Sequence, residues 1–189
     1  MKTIYLIRHT TPNVGKGICY GATDLPLAET FAAERNEIKS KLDGFEPEMV
    51  FTSPLSRCTL LANGLFGYAR TMADDRLKEL DFGRWEMKRW DELDQEIFQK
   101  WADGFWDTAA PGGESFAMLY DRVVDAWQNA VIPDSHDRIA VVCHSGVIRS
   151  LLMALLDIPH SKIFNLELAY GAVLKLTWHD GNSYQLQFV

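Results

Sequence analysis

Three short segments of the chain are almost continuously apolar and β-branched: residues 3–8 (TIYLIR), 48–52 (EMVFT) and 138–143 (RIAVVC). Apolar side chains at successive positions are typical of strands buried on both faces, as in a parallel sheet. Two further strands are predicted within residues 172–189. There, Asp180 and Gly181 form a dipeptide that favours a hairpin.

Helical periodicity fills much of the sequence between these strands. The start of the helix predicted at 55–66 is also indicated, because Ser53 suits its N-cap and Pro54 suits its first position. Strands that alternate with helices predict an α/β fold, with a mostly parallel sheet and an antiparallel edge. We therefore expect a three-layer α/β/α sandwich with a mixed sheet, in one domain spanning residues 1–189. The predicted helices are 27–42, 55–66, 90–103, 115–132 and 146–156.

Composition narrows the possible partners. The formal net charge is −7, and basic residues form no cluster, so we expect neither nucleic acid nor a membrane surface as a partner. The chain has no apolar run of about 18 residues, and its three cysteines, Cys19, Cys58 and Cys143, lack CxxC spacing. No signal peptide is expected, because a strand is predicted directly after the first two residues. We expect a cytoplasmic protein without disulfides. Its oligomeric state is not indicated.

Basic residues follow the predicted strands at the positions where the strands end. Arg8 ends the first strand and His9 follows it. Arg57 lies in the first turn of the helix after the second strand, and His144 follows the strand at 138–143. Open α/β sheets place their ligands at the carboxyl ends of strands, so these four side chains are expected to converge. Guanidinium groups match phosphate oxygens, and a neutral imidazole is a capable nucleophile. The pattern predicts a site for phosphoryl transfer.

Six motifs in order resemble those of the histidine phosphatase superfamily, which has the phosphoglycerate-mutase-like fold. They are RHTTP, GICYGATDLPL (17–27), TSPLSRC, KELDFGRWE (78–86), PGGES (111–115) and VCHSGVIR (142–149). The segment at 17–27 most resembles the α-ribazole phosphatases of cobalamin nucleotide-loop assembly. The sequence departs from the common pattern at Thr10, Thr11, Ser145 and Met87.

This resemblance implies a phosphomonoesterase that forms a phosphohistidine. His9 would be the nucleophile, Glu79 the proton donor, and Arg8, Arg57 and His144 the groups that hold the phosphoryl oxygens. Asp81 is a competing carboxylate, two residues from Glu79. The chain has no HxH or HExxH spacing, so no metal and no cofactor are expected. The expected partner is a small phosphomonoester such as α-ribazole 5′-phosphate.

A benzimidazole ring on the substrate would need an aromatic wall. Trp90 and Trp101 lie on the apolar stripe of the helix predicted at 90–103, so both are expected in the core. Trp85 and Trp106 lie off that stripe and are the predicted wall residues. Tyr20, Thr23 and Ser145 are further candidates for binding the substrate.

Other functions are also consistent with the sequence. Ser145 follows a strand and begins a helix, as the serine of an esterase nucleophile elbow does, although Cys143 and Val147 replace the small residues expected there. The chain could also be an inactive protein that binds a phospholigand. Within the enzymes of the superfamily, a broad-specificity phosphatase and a phosphoglycerate-mutase-like enzyme are the alternatives.

Overall fold

A six-stranded mixed sheet forms the centre of the computed structural model, which describes residues 1–67, 71–179 and 183–189. Its order is β3-β2-β4-β1-β5-β6; the pairings among β1–β4 are parallel, and β5 and β6 are antiparallel. The strands are β1 (Lys2–Arg8), β2 (Met49–Thr52), β3 (Thr71–Ala73), β4 (Arg138–Cys143), β5 (Val173–Trp178) and β6 (Tyr184–Phe188).

Helices cover both faces of this sheet, so the predicted α/β sandwich is confirmed. Successive residues of β1 point to opposite layers: Ile4 and Leu6 pack with α4 and α5, whereas Tyr5 and Ile7 pack with α1 and α2. This two-sided burial explains the continuous apolar runs in the sequence. The helices are α1 (Phe31–Lys41), α2 (Ser56–Phe66), α3 (Gln95–Asp103), α4 (Phe116–Ala126) and α5 (Ser145–Leu156).

Most of the predicted elements are present, with small differences at their ends. The short edge strand β3 was not predicted, because it has three residues and is largely exposed. The Asp180-Gly181 turn lies outside the described residues. At the start of α2, Leu55 occupies the N-cap position, while Ser53 Oγ accepts a hydrogen bond from the Leu55 N–H. Ser53 and Pro54 therefore precede the helix instead of capping and beginning it.

The helix predicted at 90–103 is interrupted. A 3₁₀ turn covers Trp90–Glu92, Leu93 is extended, and Asp94 then caps α3 by accepting hydrogen bonds from the backbone N–H groups of residues 96 and 97. The segment is therefore a 3₁₀ turn followed by a separate helix. Ile97 in α3 is exposed, so the continuous apolar stripe predicted for one helix at 90–103 is wrong.

Parallel pairing brings three strand ends to one edge of the sheet. Arg8 lies opposite Cys143, and Thr52 lies opposite Val142. The next residues, His9, Ser53 and His144, are therefore neighbours at the carboxyl edge. In the described part of the chain, no helix has the length and hydropathy needed to cross a membrane.

Candidate active site

His9 lies at the end of β1 with its ring almost completely buried. Its Nδ1 is 2.6 Å from the carbonyl oxygen of Thr10. A carbonyl only accepts hydrogen bonds, so Nδ1 carries the proton and the lone pair of the neutral ring lies on Nε2. The pKa of His9 is lowered to about 3, mainly by burial and to a smaller extent by the charge of Arg57. The ring is therefore neutral at physiological pH, as a nucleophile must be.

His144 is the second imidazole of the site. Its ring centroid is 5.0 Å from that of His9, and its Nε2 is 2.8 Å from the hydroxyl oxygen of Ser53. Complete burial holds the pKa of His144 well below its usual value, and the nearby His9 and Arg57 add to this effect. Two neutral imidazoles therefore lie side by side at the sheet edge.

Two arginines supply positive charge beside these rings. Arg57 is fully buried, and its two terminal nitrogens donate to the carbonyl oxygens of Thr23 and Gly21, at 2.8 and 2.6 Å. Arg8 donates to the carbonyl oxygen of Leu168. The Nε of each arginine is buried and has no hydrogen-bond partner among the described residues. Because an unsatisfied buried donor is costly, these groups suit an anionic ligand.

Glu79 lies in the loop before the 3₁₀ turn Gly83–Trp85 and lines a cavity that Arg8 and His9 also line. Its Oε2 accepts from the backbone N–H of Gly146 at 3.1 Å, and its Oε1 accepts from that of Leu80 at 3.0 Å. Asp81 instead accepts from the Gly83 N–H at 2.7 Å and does not line the cavity. Of the two carboxylates, Glu79 is therefore the one that lines the cavity.

Glu86 organises the loop that holds Arg57, a role that was not predicted from the sequence. Its carboxylate accepts from the backbone N–H groups of Gly21, Ala22 and Thr23, at 3.0 to 3.2 Å, and from the Thr23 hydroxyl at 2.5 Å. Thr23 therefore supports Arg57 through its carbonyl group and does not line the cavity. The only signal was the position of Glu86 within the motif FGRWE.

A cavity of about 540 Å³ opens beside His9, and one side of it is aromatic. Trp90 and Trp101, which were expected in the core, line this cavity. Trp85 is buried behind the wall, with its ring centroid 5.5 Å from that of Trp101. Trp106 lines a separate pocket, so neither Trp85 nor Trp106 forms the predicted wall. The aromatic wall consists of Phe82, Trp90, Trp101, Phe105, Phe116 and Phe164.

Arg149 adds a further positive charge to the cavity, and it was not predicted as a site residue from the sequence. It projects from α5, donates to the Ile163 carbonyl oxygen at 2.5 Å, and its guanidinium carbon is 5.1 Å from the Phe164 ring centroid. Burial lowers the pKa of Arg149, and the Arg8 charge adds to this. None of the ion pairs found within residues 1–67, 71–179 and 183–189 involves Arg149.

Comparison with known proteins agrees with this geometry. The sequence profile described as histidine phosphatase superfamily (branch 1) matches residues 4–188. The chain belongs to this superfamily.

Two relatives are about one quarter identical in sequence to this histidine phosphatase over the aligned residues. Phosphoserine phosphatase 1 of Hydrogenobacter thermophilus is 25% identical over 171 residues, covering 87% of this chain and 81% of that protein. The adenosylcobalamin/alpha-ribazole phosphatase of Escherichia coli K12 is 27% identical over 183 residues, covering 89% and 86%. The crystal structure of the alpha-ribazole phosphatase from Shigella flexneri has a TM-score of 0.90 at 21% identity, covering 99% and 95%.

The histidine phosphatase is thus a phosphoric monoester hydrolase, and other chemistries fit the site less well. Ser145 Oγ lies 3.3 Å from Arg149 Nε, and none of its hydrogen bonds in the described part of the chain is to a histidine. The serine–histidine pair of an esterase is therefore not assembled there. The described residues also contain no cluster of three or more histidine, cysteine or acidic side chains that could hold a metal ion.

Proposed function

We propose that the protein hydrolyses phosphomonoesters in two steps through a phosphohistidine at His9. In the first step, Nε2 attacks phosphorus as the ester P–O bond breaks, and Glu79 gives its proton to the departing oxygen. In the second, water attacks phosphorus, Glu79 takes up a proton, and the N–P bond breaks to release phosphate. The observation that carries this proposal is the buried, neutral His9, with Nδ1 bonded to the Thr10 carbonyl group, beside two arginines whose Nε groups have no partner in the described part of the chain.

Electrostatic stabilisation in this reaction comes from groups already in place. Arg8 and Arg57 neutralise the charge that spreads over the phosphoryl oxygens during transfer, and His144 is a further hydrogen-bonding group beside them. Because Arg57 is held by two carbonyl groups and Arg8 by one, little reorganisation accompanies the reaction. This arrangement needs no metal ion to supply positive charge.

The proposed substrate is α-ribazole 5′-phosphate. Its flat benzimidazole suits the aromatic wall, and the wall opens from the same cavity as His9 and Glu79. The segment at residues 17–27 resembles the ribazole branch, and Tyr20 from this segment lines the cavity. The similarity to an adenosylcobalamin/alpha-ribazole phosphatase over 89% of the chain also supports this substrate.

Arg149 favours a second candidate, a phosphomonoester whose alcohol part carries a carboxylate. An arginine in a substrate cavity, without an ion pair in the described structure, is a ready partner for such a group. Phosphoserine has this chemistry, and a phosphoserine phosphatase is among the relatives. The two candidates differ in whether the aromatic wall or Arg149 contributes most to binding the alcohol part.

A substrate panel separates these candidates. It compares α-ribazole 5′-phosphate, p-nitrophenyl phosphate, phosphoserine and phosphoethanolamine, the last two differing only in the carboxylate. Our first proposal predicts the highest kcat/KM for α-ribazole 5′-phosphate and no preference for phosphoserine over phosphoethanolamine. A preference for phosphoserine that disappears in Arg149→Met would support the second candidate. Failure to hydrolyse any of the four would instead favour a protein that only binds a phospholigand.

A further inference from the structure

Two tyrosines from distant parts of the chain meet beside the catalytic histidine. Tyr20 lies in the loop after β1, and Tyr170 lies in the loop before β5. Their hydroxyl groups form a hydrogen bond with each other. The Tyr170 ring centroid is 5.5 Å from that of His9, while Tyr20 lines the substrate cavity. The pair therefore spans the site next to the nucleophile.

Each tyrosine ring faces one of the two arginines of the phosphoryl site. The guanidinium carbon of Arg8 is 4.0 Å from the Tyr170 ring centroid, and that of Arg57 is 5.9 Å from the Tyr20 ring centroid. Both distances fall within the range of attractive cation–π contacts, although the Arg8 contact is much closer. The effect of the pair on Arg8 should therefore be the larger one.

The same two loops also supply the carbonyl groups that hold these arginines. The Leu168 carbonyl oxygen, two residues before Tyr170, accepts from Arg8. The Gly21 carbonyl oxygen, one residue after Tyr20, accepts from Arg57. Each arginine is thus supported by one loop through a ring and a carbonyl, and the hydrogen bond between the tyrosines connects the two loops.

The Tyr20 hydroxyl keeps its proton at neutral pH. Burial raises the pKa of Tyr20, and the hydrogen bond that Tyr20 shares with Tyr170 adds to the effect. The Tyr20 hydroxyl is therefore protonated, and one tyrosine can donate while the other accepts.

We propose that Tyr20 and Tyr170 are a positioning pair that sets the separation of Arg8 and Arg57 for a tetrahedral phosphoryl group. The pair acts through the two loops and through ring contacts. This inference rests on the proposed role of the two arginines, but it does not depend on which alcohol the substrate carries.

The test measures the binding of inorganic phosphate by calorimetry, together with kcat and KM for p-nitrophenyl phosphate. Tyr20→Phe and Tyr170→Phe each remove the hydroxyl bond and keep the ring. Each should raise the phosphate Kd and KM about 2- to 10-fold, the effect of one hydrogen bond. The double variant should be no weaker than the worse single variant, because the bond is lost once. Tyr170→Leu, which also removes the contact with Arg8, should weaken binding further.

Tyr120→Phe is the matched control, since Tyr120 packs against Trp106 away from the cavity, and it should bind phosphate as the unmodified protein does. The proposal is overturned if the single variants bind phosphate normally, or if their effects multiply in the double variant. Phosphate binding with the predicted pattern, but without turnover of any phosphomonoester, would retain the positioning pair and reject the proposed function.

Discussion

The backbone N–H of Gly146 donates a hydrogen bond to the Glu79 carboxylate, with 3.1 Å between the nitrogen and Oε2. Gly146 lies in the first turn of α5, where backbone N–H groups have no partner within the helix. A Cβ atom at position 146 would lie 2.2 Å from Glu79 Oε1. The absence of a side chain at Gly146 therefore leaves the space that the proposed proton donor occupies.

Gly146→Ala should consequently displace Glu79 and lower turnover. We expect kcat for an alkyl phosphate to fall at least about 10-fold, approaching the effect of losing the general acid. Gly64→Ala in α2 is the control, because the new Cβ would meet only the flexible side chains of Arg35 and Phe31. Steady-state kinetics of both variants provide the measurement. Normal activity in Gly146→Ala would show that the carboxylate position is not critical.

Glu79→Gln should lower kcat for an alkyl phosphate by about 10²–10⁴-fold, the usual contribution of a general acid. The loss should be smaller with p-nitrophenyl phosphate, whose leaving group needs little protonation. Asp81→Asn should show no such dependence, since Asp81 accepts a hydrogen bond from Gly83 outside the cavity. Comparing kcat for both esters in both variants checks which carboxylate is the general acid. A loss in Asp81→Asn that depends on the leaving group would assign this role to Asp81.

Replacing the aromatic wall should affect aryl-containing substrates selectively. Trp90→Leu should lower kcat/KM for α-ribazole 5′-phosphate about 2- to 10-fold, as expected for losing about 0.5–1.5 kcal/mol of ring stacking. Phosphoethanolamine, which has no ring, should be little changed. Trp106→Leu serves as the matched control because Trp106 lines a different pocket. Equal losses in the two tryptophan variants would contradict the placement of the wall.

The convergence of His9 and His144 could be predicted from the sequence, because both residues follow strand ends. His9 and His144 each follow a strand that is apolar at nearly every position, and parallel pairing brings such ends together. The fold was predictable for the same reason. Neither inference required knowledge of side-chain packing.

The substrate wall could not be predicted, because it depends on where one helix is interrupted. The periodicity of the sequence predicts one helix that contains both Trp90 and Trp101. In the structure, Asp94 caps a new helix between them. Both tryptophans line the cavity, and Trp85 is buried beside Trp101. Arg149 was missed for a related reason: its position on α5 does not reveal that the cavity reaches that face of the helix.

The buried neutral His9 should make stability depend on pH. Its pKa is about 3 in the folded protein, against an ordinary value of 6.5, so between these pH values the unfolded chain binds a proton that the folded protein does not. The free energy of unfolding should therefore decrease as the pH falls below 6.5. At pH 5, His9 should account for about 2 kcal/mol of this decrease.

Urea unfolding at pH 7 and pH 5 tests this expectation. The decrease in unfolding free energy should be about 2 kcal/mol smaller in His9→Gln, which has no imidazole to protonate, than in the unmodified protein. His144 is held neutral mainly by its complete burial, which both proteins share, so its contribution largely cancels in this comparison. The same pH dependence in both proteins would mean that His9 takes up its proton equally in the folded and unfolded states.

The phosphohistidine is the central claim, and an acid-quench experiment tests it most directly. The enzyme is mixed briefly with a ³²P-labelled phosphomonoester, denatured, and the protein-bound label is followed in acid and in alkali. A phosphohistidine at His9 predicts label that survives alkali, is lost in acid, and is absent from His9→Ala. Label that resists acid, or that persists in His9→Ala, would contradict the mechanism.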